Sequence, residues 1–327
     1  SERFYEEDHK KYPERKIIAT ETVNYPYQPG NAFPYRSYSQ WLKAQKSEYV
    51  IGEFLWTGFD YLGESGIGED ARKGPNPWEE CPKWPCRSAL CGFLDLCGFK
   101  KPGYYFRRSL WSDTPMVYLV AQNTKDAKNI KLVPFWGWPE VASHWNWKED
   151  TIFVHCYTNC ESVELLLNGK SLGSKELSPS RPFLMWKVHY EPGELKAVGK
   201  RNDKGICTHE LYTAGKPAKI VLTPDRESIV ADGQDISFIT VNILDNKGTI
   251  APRAKNLITF NISGEGEIIG VGSGDSRSHE DYKSNKRKAY NGKCLVIIQS
   301  KRNPGQILLT ATSPGLSSDS ITVNSRP

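Results

Sequence analysis

Apolar residues in this chain arrive in short runs separated by polar turns, and the spacing of those runs changes once along the chain. Ile17-Ile18-Ala19-Thr20 is a short apolar run that stops at Glu21. A Pro- and Gly-rich loop follows from Tyr25 to Pro34, and Ser37 is placed to cap a helix over Tyr38 to Lys46, with Trp41, Leu42 and Gln45 along one side. Tyr49 to Trp56 then reads as a buried strand ended by Thr57-Gly58. The unit is strand, loop, helix, strand. Glu21 to Trp56 spans 35 positions, close to the roughly 31 residues of one unit in an eight-fold βα barrel. Phe93 to Leu96 is a further apolar segment. It leads into Lys101 to Trp111, where Pro102 suits the first turn of a helix.

From Pro115 onward the period becomes that of short strands. Val117–Val120, Ile152–Tyr157, Val163–Leu167, Trp186–Tyr190 and Glu194–Gly199 form one series, with a hairpin turn predicted at Asn168-Gly169. After a turn-rich junction at Ala214-Gly215-Lys216-Pro217, a second series includes Lys219–Leu222, Ile236–Leu244, Leu257–Ile262, Cys294–Gln299 and Gln306–Thr312. Such runs predict β-sandwiches. Gly264-Glu265-Gly266 and Gly270 to Gly274 read as tight turns, because they lack the strand-to-helix context of a phosphate-binding loop.

The expected fold is therefore mixed and mostly β. Residues 1–113 are expected to form the last strands and helices of a (β/α)8 TIM barrel, 114–213 a β-sandwich, and 214–327 an immunoglobulin-like β-sandwich. Two strands cannot close a barrel, so the other six are expected upstream in the same polypeptide. The opening, Ser1 to Lys16, is charged and helix-like with no leader, as expected of a piece of something longer.

A length of 327 residues agrees with two or three domains. No run of about 18 apolar residues exists, so no membrane span is expected. The net charge of +5 is spread through interleaved acids and bases, and the basic run Lys283 to Lys288 is expected to be a solvated loop rather than a nucleic-acid contact. Ten Trp, sixteen Tyr and twelve Phe are a high aromatic load. Such rings stack on sugar faces, and they also fill cores.

The candidate chemistry sits at the first two strands. A carboxylate just after a short buried parallel strand lies at the C-terminal mouth of a barrel, where active sites are built. Glu21 has that position, and Trp56 has the matching one on the next strand. Glu53, three residues before Trp56, points to the other side of the strand and reads as structural.

These segments resemble glycoside hydrolase family 2. Ile17-Ile18-Ala19-Thr20-Glu21-Thr22 is similar to the family's nucleophile strand. Gly52 to Glu64, with its Trp56-Thr57-Gly58-Phe59-Asp60-Tyr61 run, resembles the eighth barrel strand and its loop. Gly92 to Phe99, with Tyr104-Tyr105 and Trp111, resembles the end of the barrel. Thr158 to Gly169 resembles the sandwich that follows in many bacterial β-galactosidases, and Gly270 to Gly292 a further C-terminal domain of theirs. The resemblance implies a retaining β-galactosidase acting on an oligosaccharide or polysaccharide, with Glu21 as nucleophile and no cofactor or metal. Retention needs two carboxyl groups about 5–5.5 Å apart. The family's acid/base is a Glu following an Asn, and no Asn-Glu pair occurs here, so that half is expected upstream. Trp56 is expected to floor the sugar pocket, and Asn24, Tyr25, Asp60 and Glu64 are substrate-contact candidates. For Asp60 and Glu64 the competing reading is a loop-fixing ion pair. β-Glucuronidase and β-mannosidase share the barrel, although a glucuronidase needs a basic group for the sugar carboxylate and none is evident. A non-catalytic sugar-binding sandwich module would explain 114–327 but not Glu21 to Trp111. A periplasmic or secreted location would suit polysaccharide breakdown.

Other clusters have quieter readings. Cys91 and Cys97 are expected to be buried free thiols, Cys81 and Cys86 either pair or stay reduced in their Pro-rich loop, and Cys160 packs. His144, Trp145 and Trp147 are expected to form an aromatic cluster in the first sandwich, either packed or at a domain interface, or else a sugar contact. Asp275, Glu280 and Asp281 are a weak cation set. The Cys81–Cys97 spacings are loose for zinc and no His lies near. Elemental analysis of the purified chain should find no stoichiometric zinc, and replacing Cys86 and Cys91 by Ser should leave its metal content unchanged.

Overall fold

The computed structural model describes residues 3–23, 35–62, 88–89, 92–123, 141–179, 181–276 and 278–327. Among these, three helices and twenty strands make a mostly β architecture. Contacts group the chain into two units. The first joins residues 1–95, 100–143 and 147–211; the second joins 96–99, 144–146 and 212–327.

The first unit opens with α1 (Arg3–Lys11), whose His9 ring stacks on Tyr49 at 3.8 Å. β1 (Ile17–Val23), α2 (Tyr35–Lys46) and β2 (Val50–Trp56) follow, and β1 pairs with β2 in parallel. The helix between them is the crossover that a parallel pair requires. It begins at Tyr35, so Ser37 lies inside the first turn and not at the expected cap. β1 also runs three residues past Thr20, which places Glu21 within the strand. Two short strands, β3 (Tyr61–Leu62) and β4 (Ser88–Ala89), pair next. α3 (Pro102–Trp111) then starts as expected at Pro102, which gives up only an N–H that the first turn leaves unused.

Seven strands complete the unit: β5 (Val117–Asn123), β6 (Thr151–Thr158), β7 (Ser162–Leu167), β8 (Lys170–Glu176), β9 (Leu184–His189), β10 (Glu194–Arg201) and β11 (Lys204–Tyr212). They form the sheets β5-β6-β9 and β11-β10-β7-β8. Asn168 and Gly169 both take positive φ, 51° and 79°, as the hairpin between β7 and β8 demands. β7 and β10 alternate buried and half-buried positions, whereas β6 is buried over its last five residues. The reason is that α3 covers β5 and β6: Phe106 meets Tyr157 edge-on at 5.6 Å, and Tyr105 stacks on Tyr118 at 3.6 Å. The α3–β5 connection is pinned by Asn159, whose amide donates to Ser112 O and Thr114 O while its Oδ1 accepts from the Met116 N–H.

The second unit holds β12 (Lys219–Pro224), β13 (Ser228–Val230), β14 (Ile236–Leu244), β15 (Leu257–Gly264), β16 (Gly266–Gly272), β17 (Lys286–Lys288), β18 (Lys293–Ser300), β19 (Gly305–Thr312) and β20 (Asp319–Arg326). Two sheets, β12-β14-β18-β16 and β13-β20-β19-β15-β17, enclose one core. Ile239, Val241, Ile243, Val296 and Ile298 of the first sheet face it, as do Phe260, Ile307, Leu309 and Val323 of the second.

Four expectations are corrected here. The basic run is not all loop: it enters β17, where Lys286 and Lys288 are exposed but Arg287 is 1% exposed. Gly270 to Gly272 end a strand, and the turn begins at Ser273. Cys97 is a free thiol but only half-buried, lying against Gly272, where a Cβ would come within 2.7 Å of its sulfur. His144 to Asn146 join the C-terminal unit instead of the first sandwich. Trp145 is fully buried there, and the Asn146 side chain clasps both backbone groups of Ala214.

Burial also sets an acid limit. His155 is 3% exposed on β6 beside Phe183, and burial pulls its pKa down to about 4. The unfolded value is near 6.5, so between these values the unfolded chain binds more protons than the native one. Stability is intact above about pH 6.5 and is lost as pH falls toward 4. At pH 5 this one residue is expected to cost about 2 kcal/mol. Urea midpoints at pH 7.5 and 5.0 should show the fall, and His155→Leu should remove that share of it.

Candidate active site

The candidate residues sit where β1 and β2 end together. The ladder pairs Ala19 with Glu53, then Thr22 with Leu55 and Val23 with Trp56. Between these pairs Thr20 and Glu21 stand opposite Phe54 alone, so β1 carries a bulge at Glu21. Bulges re-aim a side chain and sharpen the local twist. Glu21 is exposed, and its neighbour Thr22 is buried with its hydroxyl donating to Phe54 O at 3.3 Å. Trp56 closes β2. It is 41% exposed, meets Tyr61 edge-on at 6.3 Å, and is followed by Phe59 at 54% exposure. A carboxylate and an aromatic rim thus occupy the C-terminal ends of adjacent parallel strands, the end at which α/β folds place ligands.

Two buried ionic contacts hold this edge in place. Glu53 lies 3.7 Å from Arg107 of α3, and both side chains are almost wholly buried. Burial draws the Arg107 pKa down to about 10 against the opposing pull of Glu53, so the guanidinium is charged at neutral pH. The second contact locks the loop after Trp56. Asp60, 3% exposed, accepts from the Gly92 N–H at 2.9 Å and from Lys101 Nζ at 2.7 Å. Burial raises the Asp60 pKa while Lys101 and the Gly92 amide pull it back. Backbone bonds zip the same loop: Phe93 N–H to Thr57 O, Leu94 N–H to Gly58 O, and Asp60 N–H to Leu94 O. Only glycine fits at position 92, since a Cβ there would sit 2.1 Å from the Asp60 nitrogen.

Glu21 and Trp56 therefore share one end of one ladder, as their spacing suggests. Asp60 is turned inward, and its Oδ1 takes both contacts of the loop-fixing ion pair. Asn24, Tyr25 and Glu64, together with Cys81, Cys86 and Cys91, lie outside the described residues. Phe59, Lys101 and Arg107 were not singled out from the sequence. Lys101 lies 41 residues from its partner, so no local spacing points to it. Among the described residues no group of three or more His, Cys, Asp or Glu side chains is arranged to hold a metal, and no helix is long and apolar enough to cross a membrane.

Comparison with known proteins gives this ladder a family. Residues 220–322 match the model of glycoside hydrolase family 2 C-terminal domain 5, and residues 149–207 match a domain of unknown function. Over 272 residues the chain is 40% identical to a β-galactosidase of Bacteroides ovatus, covering 83% of this chain and 28% of that protein. The chain belongs to glycoside hydrolase family 2. A crystal structure of a family 2 member from Bacteroides cellulosilyticus superposes over 100% of this chain and 41% of its own, with TM-score 0.86 and 35% identity. A β-glucuronidase of Formosa agariphila is 27% identical over 88% of this chain and 26% of that protein. The chain thus spans less than half the length of these relatives, and the superposition on the crystal structure takes in the ladder as well as the sandwiches.

The lock and the buried pair make separate demands on stability. Glu53→Gln leaves the Arg107 charge buried without its counterion and is expected to cost about 3–5 kcal/mol. Asp60→Ala leaves the Gly92 N–H without its acceptor and is expected to cost about 1–3 kcal/mol. Chemical denaturation of each variant, followed by far-ultraviolet circular dichroism, measures both.

Proposed function

We propose that this chain supplies the nucleophile half of a retaining β-glycosidase acting on terminal β-galactosides. The observation that carries the reading is the exposed carboxylate of Glu21 at a bulge, one strand from the half-exposed ring of Trp56. In this reading the Glu21 carboxylate attacks the anomeric carbon while the glycosidic C–O bond breaks and a second carboxyl group protonates the leaving oxygen. Water then attacks the glycosyl-enzyme, gives its proton back to that second group, and frees the sugar with its configuration retained. Trp56 and Phe59 offer ring faces to the sugar, and the Asp60–Lys101 lock keeps their loop from moving.

The second carboxyl group is assigned to an upstream part of the same polypeptide. The first strands then become the end of a (β/α)8 barrel, followed by two immunoglobulin-like sandwiches. Strand, helix, strand and helix alternate with parallel pairing, as such a barrel requires. Ile18, Ile51 and Phe54 on the two-strand ladder are 49%, 66% and 66% exposed, an apolar surface suited to further strands. Galactosides are preferred because the relative with the higher identity is named a β-galactosidase. The relative named a β-glucuronidase supports glucuronides as the second reading.

The 327-residue chain alone should hydrolyse no aryl glycoside. With the upstream segment present, a panel of aryl β-glycosides should show turnover of the galactoside above the glucuronide and mannoside. A 2-deoxy-2-fluoro galactoside with a good leaving group slows the second step more than the first, so peptide mapping should find the sugar on Glu21. Glu21→Gln should lower kcat by at least about 10³-fold with the fold intact. A label on another residue, or near-normal turnover by Glu21→Gln, overturns the assignment.

A further inference from the structure

We propose that Cys160 and Cys207 form a modification site in the first unit, a thiol pair that an oxidant of the low-molecular-weight disulfide class converts to a cross-link. Cys160 sits at the corner where the chain passes from β6 to β7, and Cys207 lies on β11. Both are free thiols, 47 residues apart in sequence, and their sulfurs stand 3.5 Å from each other. A disulfide bond of about 2.05 Å needs a further approach of about 1.5 Å, within the reach of side-chain rotation.

The fold makes room for the pair. In the sheet β11-β10-β7-β8, β10 lies between β11 and β7, so a bridge from the β6–β7 corner to β11 has to pass over β10. The residue it passes over is Gly199. A Cβ there would come 2.6 Å from the Cys160 sulfur, 2.8 Å from the Cys207 sulfur and 2.8 Å from Val117 Cγ1. Glycine weakens a strand interior and marks a close approach, and here it is the two sulfurs that approach. Val117 closes the space from β5. Cys160 is 1% exposed, with Met116 O 3.7 Å from its sulfur, whereas Cys207 is half-buried.

That difference in exposure orders the reaction. The Cys207 thiolate, which solvent reaches, attacks one sulfur of the oxidant, and the other sulfur leaves as a thiolate. The Cys160 thiolate then attacks the Cys207 sulfur and expels the second half of the oxidant. The oxidant's S–S bond is exchanged for one in the protein, and the oxidant departs as two thiols that carry the two protons. Burial, and then the adjacent Cys160 sulfur, push the Cys207 thiol up to about 12, so thiolate is scarce and closure is slow at neutral pH. Cys156 lies close to both sulfurs, but burial raises its own pKa and keeps it protonated, so it takes no part. The new bond ties the edge strand β11 to the β6–β7 corner and closes a loop that contains β7 to β10. A closed loop of this length stabilises chiefly by restricting the unfolded chain.

The inference stands apart from the reading of Glu21. The native 327-residue chain, reduced and then freed of reductant, is incubated with oxidised glutathione at about pH 9, and the remaining thiols are alkylated in denaturant. A non-reducing peptide map should join the Cys160 and Cys207 peptides, with no glutathione left on either. The oxidised chain should melt at least about 5 °C above the reduced one, and dithiothreitol should reverse the shift. Cys207→Ser should remove both the bridge and the shift, and Cys156→Ser neither. Alkylation of both Cys160 and Cys207 after complete incubation overturns the proposal. So does glutathione that stays on Cys207, a bridge from either residue to another cysteine, or a thermal shift that survives Cys207→Ser. The peptide map of the unaltered chain decides even where a variant fails to fold.

Discussion

The first unit depends on a charge that cannot be left alone. Arg107 is buried on α3, and a buried guanidinium is tolerated only with a counterion. Glu53 of β2 is that counterion, at 3.7 Å. The same helix turns Phe106 onto Tyr157 and Tyr105 onto Tyr118. α3 therefore joins the strand that ends in Trp56 to the sheet of β5 and β6. Whatever fixes α3 fixes the candidate site and the sandwich sheet together.

Around that anchor the site edge is made rigid by backbone pairing rather than by regular secondary structure. The residues after Trp56 are zipped to Phe93 and Leu94, and Asp60 closes the zipper against Gly92 and Lys101. The arrangement places the aromatic side chains outward and the polar ones inward, the reverse of a normal surface. Trp56 and Phe59 are exposed while Asp60 is buried. Exposed rings supported by an internal ionic lock make a rim that can meet a flat sugar face without first having to become ordered.

The C-terminal unit repeats the same physical solution. Arg287 is 1% exposed and is held by Glu280 and Ser273. There the buried charge ties Ser273 and Glu280 to β17. In both units a buried guanidinium has a glutamate carboxylate close by, at 3.7 Å and 3.8 Å, and the opposed charge offsets the cost of burial.

Much of this was legible in the chain itself, wherever the deciding contacts are local. The Asn168-Gly169 hairpin follows from two residues that tolerate positive φ, the α3 start from Pro102, and the sandwich strands from alternation over five to nine residues. The βα spacing and the Trp56 run likewise pointed to the ladder and to family 2. Other features needed the tertiary structure. Glu21 lies in a bulge because one more residue of β1 than of β2 fills the span between two pairs, which depends on the register of the partner strand. Asp60 could be read as a loop-fixing ion pair or a sugar contact, but its partner Lys101, 41 residues away, could not be named until the fold brought the two together. Arg287 sat in a run of bases that looked solvated, yet strand alternation within a sandwich turned it inward. Periodicity and turn chemistry act between neighbours in sequence and so can be read from sequence. The partner of a charge is chosen by chain closure, and no local pattern records it.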